Sequence, residues 1–152
     1  MTVAERIAHG SNRFYLRMRH SKAWQSETSP TAGLDSLRGY KNALLQTFRR
    51  SGEVVPTPVW FGLADGKLYF RTYTDAVKLK RIRRDPRVLV GPCDIRGKPK
   101  GPLLEAQARV LGPDEEGVAE QAIRSNYGLF RRFYLASFSG RIPDTYVEVT
   151  PV

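Results

Sequence analysis

Residues 103–111, LLEAQARVL, alternate in character. Leu104, Ala106, Ala108 and Val110 fall on one side, and Glu105, Gln107 and Arg109 on the other. That period of two predicts a half-buried strand. From Leu37 onward the same reading finds six strands. KLYFRT (67–72) sets Leu68 and Phe70 against Lys67, Tyr69 and Arg71. ALLQTF (43–48), VVPTPVWFGL (54–63) and RVLVGP (87–92) are apolar runs bounded by turn residues, and DTYVEVTPV (144–152) is the last strand. Asp65-Gly66 is a two-residue hairpin signal between the second and third strands. Over 75–84 the period becomes helical, with Ala76, Leu79 and Ile82 on one face; Asp85-Pro86 ends that helix, because a residue before proline avoids helical geometry. A second helix is expected within 112–128, where Asp114, Glu115 and Glu116 load a first turn that favours acids. A third, short helix is expected over 129–138.

Residues 1–36 read as an N-terminal extension, an arm packed on the domain or on a partner subunit, with a basic membrane-surface helix as the alternative. Segment 4–24 has Ile7, Phe14, Leu16 and Met18 only roughly on one face, and 26–33 is a polar linker. Residues 37–152 then form one domain, mainly β with some α: a barrel of about six antiparallel strands with two or three helices. A barrel this small fills its own interior, so a ligand must sit outside it or between two copies.

The 152 residues suffice for one hydrophobic core. No apolar run approaches the roughly 18 residues of a membrane span, so membrane association is not expected. The first ten residues have no apolar export core, which makes a cytoplasmic location the expectation. The single cysteine, Cys93, excludes an internal disulfide and reads as an inert core residue. His9 and His20 lack the neighbouring carboxylates and thiols of a metal site, and none is expected. Phosphate-cradling loops, dinucleotide fingerprints and hydrolase motifs are absent. If the chain is an enzyme, a cofactor supplies the reactivity.

Charge sharpens this. The formal net charge is +10. Residues 70–88 hold seven Lys or Arg and two Asp, half of that total. On the helix, Lys78 and Lys80 flank the apolar stripe, with Arg81 and Arg84 further round; Thr72 and Thr74 precede it. Hydroxyls, amides and cations together suit a phosphate; a solvated basic face is the alternative. The second unusual feature is PTPVW. Pro56 and Pro58 withhold their N–H groups along the same strand edge. Such an edge can receive a flat ring, or simply resist aggregation.

VVPTPVWF, DGKLYFRT and KLKRIRRDPRV, in that order and spacing, together resemble the pyridoxamine-phosphate-oxidase-like flavin and deazaflavin oxidoreductases. The nearer match is the branch described as using coenzyme F420. The resemblance covers about residues 37–111, plus the last strand. It implies a split β-barrel of the FMN-binding type and a homodimer with the cofactor at the subunit seam. By resemblance, Thr57, Pro58, Val59 and Trp60 contact the cofactor ring, while Arg71, Thr72 and Lys78 take its phosphate-bearing tail. Lys80 and Arg81 join them mainly on charge. Members that bind FMN usually have a Ser two residues before the lysine; here Ala76 offers one hydroxyl fewer. F420, with its phosphate and oligoglutamate tail, is therefore expected, with FMN as the alternative. The implied activity is hydride transfer from reduced deazaflavin to an electron-poor small molecule such as an enone, a quinone or a tetrapyrrole. No catalytic side chain is assigned; Tyr73, Tyr127 and Tyr134 are phenols that can donate a proton. A nucleic-acid-binding barrel, with Trp60, Tyr69 and Phe70 stacking bases, is the main rival. It lacks the aromatic–basic alternation of a stacking platform, and no nucleic acid partner is expected.

Overall fold

The computed structural model describes residues 19–127 and 143–152. Among these residues, seven strands form one antiparallel sheet. They are β1 (Asn42–Phe48), β2 (Val54–Val59), β3 (Phe61–Ala64), β4 (Lys67–Tyr73), β5 (Arg87–Cys93), β6 (Leu104–Val110) and β7 (Asp144–Pro151). Two α-helices accompany them, α1 (Val77–Arg84) and α2 (Glu116–Ser125), with 3₁₀ turns at Ser21–Trp24, Leu34–Leu37 and Pro113–Glu115. The helix expected at 129–138 and the extension's first 18 residues lie outside the described residues.

The strand order is β2-β1-β5-β6-β7-β4-β3. β2 and β3 stand at opposite ends of that order, yet Trp60 alone joins them. The sheet must therefore curl until its ends meet at Trp60. This is also why the predicted strand 54–63 is two strands and the count is seven. Its halves pair with different neighbours, β2 with β1 and β3 with β4.

Away from Trp60 the ends part. β3 covers β4 only from Phe61 opposite Phe70 to Ala64 opposite Lys67. Arg71, Thr72 and Tyr73 have β7 on one side and no strand on the other. The barrel is thus closed at one corner and split at the next.

Local chemistry fits each element. Asp65 and Gly66 adopt φ of 53° and 73°, the left-handed pair that a two-residue hairpin needs. β6 buries Leu104, Ala106 and Ala108 and exposes Glu105, Gln107 and Arg109. α1 begins at Val77; Asp75 and Ala76 form the turn before it, with Ala76 as an N-cap that offers no side-chain hydrogen bond. Leu79 and Ile82 pin the helix to the core, and three arginines occupy its last turn, where the helix dipole favours cations. α2 lies on the outer face against β3. A Cβ on Gly62 would sit 2.1 Å from the Ala122 carbonyl atoms, so only glycine permits that approach.

The described part of the extension, 19–37, packs on the barrel. Leu34 and Leu37 enter the main core. Ala23 is fully buried against the outer face of β1 and β5, and Gln46 donates to the Ala23 and Gln25 carbonyls at 2.8 Å each.

Candidate functional site

α1 spans the split. Lys78 Nζ donates to Thr72 Oγ1 of β4 at 3.2 Å. Arg81 Nη1 reaches Thr47 Oγ1 of β1 at 3.5 Å, and Arg84 Nη2 donates to the Phe48 carbonyl at 2.5 Å. Spacing by threes places these cations on one side of the helix, while Leu79 and Ile82 point into the core. Thr47 and Thr72 are themselves buried. Thr72 pairs across the ladder with Thr145, whose hydroxyl lies 2.9 Å from that of Thr74. The corner therefore offers hydroxyls, an ammonium and guanidinium groups.

Its electrostatics are uncompensated. Among the described residues, none of Lys78, Arg81, Arg84 or Arg49 pairs with a carboxylate. Arg71, Arg87, Arg109 and Arg124 each do. Burial lowers the Lys78 ammonium to about 8, and the Arg81 cation adds to the shift. Arg81 is held below its ordinary value by burial first, then by Arg49, Arg84 and Arg19. Asp85 lies in the field of Arg84 but is paired with Arg87, so the cations pressed together at the corner form a site that an external anion would relax.

The sequence-derived residues fall into three groups. Thr72, Lys78 and Arg81 meet at the corner. Thr57, Pro58, Val59 and Trp60 lie along β2 and its end, with side chains already engaged by protein. Thr57 and Val59 are buried, opposite Leu45 and Ala43. Pro58 packs beside Gly97 and Ala23, and Trp60 stacks on Tyr127 with ring centroids 4.8 Å apart. What β2 can offer a ring is its outer backbone edge, where Pro56 and Pro58 turn away from β1. Arg19 already donates to the Pro56 carbonyl there, at 2.6 Å.

Arg71 and Lys80 stand apart from the corner. Neighbours along a strand face opposite ways, so Arg71 turns away from Thr72 to the α2 side. It pairs there with Asp144 and, at 3.5 Å, with Glu120, and lies over the Tyr146 ring. Lys80 is exposed on α1. Thr47, Arg49 and Arg84 complete the corner, and Arg19 reaches it through its field. The sequence signal for Thr47 is its inward parity with Ala43 and Leu45; Arg49 belongs to the β1–β2 turn, whose position depends on the curl.

The phenols divide too. Tyr127 is buried, accepting from the Phe61 N–H at 2.6 Å and donating to the Lys41 carbonyl at 3.0 Å, so its hydroxyl is structural. Tyr73 is half-buried at the end of β4, and Tyr134 lies outside the described residues. Cys93 is buried and its thiol pushed up to about 12 by burial and Asp94, which leaves it unreactive.

Neither a family model nor a curated protein sequence matches the chain. Solved structures do. A candidate pyridoxamine 5'-phosphate oxidase from Listeria innocua matches 78% of this chain and 89% of its own, at 17% identity and TM-score 0.54. The fold is a split β-barrel. A FAD-binding protein from Mesorhizobium loti shares it at 17% identity and TM-score 0.52, over 77% and 84% of the two chains. The haem storage protein HutZ from Vibrio cholerae does so at 14% and 0.56, over 75% and 83%. The chain spans about half, 49%, of a longer Agrobacterium tumefaciens protein of unknown function; that match covers 76% of this chain, at 23% identity and TM-score 0.54. Among the described residues, no helix is long and apolar enough to cross a membrane.

Proposed function

We propose that this split barrel is an oxidoreductase that holds coenzyme F420 by its phosphate and acidic tail at the α1 corner, with the ring along the β2 edge. The observation that carries the reading is the cluster of Lys78, Arg81, Arg84 and Arg49, which have no carboxylate partner among the described residues, with Lys78 and Arg81 tied to Thr72 and Thr47. The donor set fits a phosphate: two hydroxyls, an ammonium and guanidinium groups. The cations at the Arg49 and Arg84 end extend it into a path for further negative charge. A short flavin phosphate would use less of that path, and Ala76 gives it no hydroxyl.

When bound and reduced, the deazaflavin supplies a hydride from C5 to an electron-poor double bond. The chain's part is to bind and orient. Lys78 and Arg81 fix the anionic end, Thr72 and Thr47 position those two cations, and the packed core beneath β2 keeps water from the ring's inner side. A second copy of this chain would cover the exposed side of the ring, because the barrel interior is filled by residues such as Leu45, Phe61 and Phe70, all fully buried. A flavin is the second reading, favoured by the FAD-binding neighbour. Titration with F420 and with FMN at low and high salt tests both. The expected result is tighter F420 binding that weakens with salt as surface charges are screened. Tight, salt-insensitive FMN binding, with a yellow protein on purification, would reverse the order.

A further inference from the structure

A second basic surface lies at the other end of β2, outside the corner just described. The 3₁₀ turn Ser21–Trp24 and the 94–100 turn are joined by the His20 N–H, which donates to the Arg96 carbonyl at 2.7 Å. Together they present two large apolar side chains to solvent, Trp24 at 46% exposure and Ile95 at 59%. Lys22, Arg96 and Lys100 are exposed around them, with Lys98 half-buried. Arg19 lies 4.8 Å from the centre of the Trp24 ring and braces it. The turn's carboxylate, Asp94, points inward to accept the Arg96 and Lys98 N–H groups at 2.8 and 3.0 Å. Asp94 is the only acid in these two segments, and the exposed Glu27 follows three residues after Trp24.

We infer that this face binds an anionic lipid surface peripherally, with Trp24 and Ile95 entering the headgroup layer and Lys22, Lys98 and Lys100 contacting acidic headgroups. Charge decides the class of partner. A symmetric contact with a second copy would set this cationic face against itself. Composition decides between lipid and nucleic acid. Single-stranded nucleic acid prefers several aromatic platforms, whereas one indole beside an exposed aliphatic chain, rimmed by lysine and arginine, suits the membrane interface. Arg19 links the two regions, since it braces Trp24, holds the Pro56 carbonyl and adds its field to Arg81; Lys22, Ile95, Lys98 and Lys100 are not among the residues of the α1 corner.

The test is co-sedimentation of the full chain with phosphatidylcholine vesicles, with and without about 30% phosphatidylglycerol. Binding is expected only with the acidic lipid. Lys98→Glu/Lys100→Glu should weaken it by about thirtyfold or more. Trp24→Ser/Ile95→Ser should abolish the part of the binding that survives high salt, and with it the quenching of tryptophan fluorescence by brominated lipid. Both variants should keep the wild-type thermal melt, and Lys98→Glu/Lys100→Glu, whose residues touch neither Arg19 nor the α1 corner, should keep the wild-type affinity for F420, which separates this inference from the coenzyme reading. Equal binding to neutral vesicles, or binding unchanged in both folded variants, overturns it. So does capture of single-stranded oligonucleotide with no binding to acidic vesicles.

Discussion

Lys78→Met separates the coenzyme reading from a merely structural role for the α1 corner. Methionine keeps an unbranched stem, one atom shorter, and removes the charge. In the folded protein the ammonium is lowered from 10.5 to about 8 by burial and by Arg81. A shift of that size corresponds to about 3 kcal/mol between charged and neutral forms, and partial exposure brings the working range to about 1–3 kcal/mol. The sign follows from proton counting. Between pH 8 and 10.5 the unfolded lysine holds its proton and the folded one has lost it, so stability rises with pH across that window. Below pH 8 both states are charged and the folded state carries the whole cost. The substitution should therefore stabilise the coenzyme-free protein at pH 7, raising Tm by roughly 2–10 °C for a chain of this size. It should also flatten the rise in stability between pH 8 and 10.5.

The same substitution should weaken coenzyme binding. Losing one charge-assisted hydrogen bond to phosphate costs about 1.5–3 kcal/mol, or roughly 10- to 150-fold in Kd. Wild-type affinity should itself fall as pH rises past about 8, because the free protein's lysine must then take up a proton to bind. Thermal melts at pH 7 and pH 10, with F420 fluorescence titrations at both, provide all four quantities. A lower Tm at pH 7 together with unchanged coenzyme affinity would refute the reasoning, since the lysine would then be a structural prop.

Gly62→Ala should destabilise by about 1–3 kcal/mol or more, because the new methyl meets the Ala122 backbone, which cannot swing aside as a side chain can; urea melts measure it. Tyr127→Phe should cost about 1–3 kcal/mol by leaving the buried Phe61 N–H without its acceptor, with little effect on coenzyme affinity in the surviving folded fraction. Cys93 should resist thiol reagents at pH 8 in the folded protein and react on denaturation, as its buried, raised thiol requires. Arg81→Gln/Arg84→Gln should reduce the salt dependence of F420 binding more than Lys80→Gln does, because Lys80 stands outside the corner.

Period and turn chemistry carried much of the fold. β6 alternates as LLEAQARVL does, and Asp65-Gly66 turns as its residue types demand. The break at Trp60 was not legible, because VVPTPVWFGL is one unbroken apolar run; only a sheet whose ends meet makes its two halves serve different neighbours. The same limit applied to the corner. Lys78 and Thr72 are close in sequence, and their pairing could be read from strand-then-helix order. Thr47 and Arg49 are separated from Arg81 by more than thirty residues, and nothing local in LLQTFRR announces a meeting that depends on curl. Arg71 shows the converse. Its place beside Thr72 suggests a shared site, yet strand parity sends it to Asp144 and Glu120.

These particulars share a cause. A barrel with Leu45, Phe61, Leu68 and Phe70 fully buried has no interior left for a ligand. Its remaining irregularity is the seam, where β3 stops after four residues and β4 runs on with β7 on one side and no strand on the other. A seam exposes backbone and polar side chains that a complete barrel would pair, so something must bridge it. Here α1 does so with cations, although an amphipathic helix with an acid among them would cap the core as well and cost less. Leu79 and Ile82 already provide the apolar anchor. The stability forgone at Lys78 is therefore unexplained by folding alone, and the anionic ligand proposed for that seam would account for it.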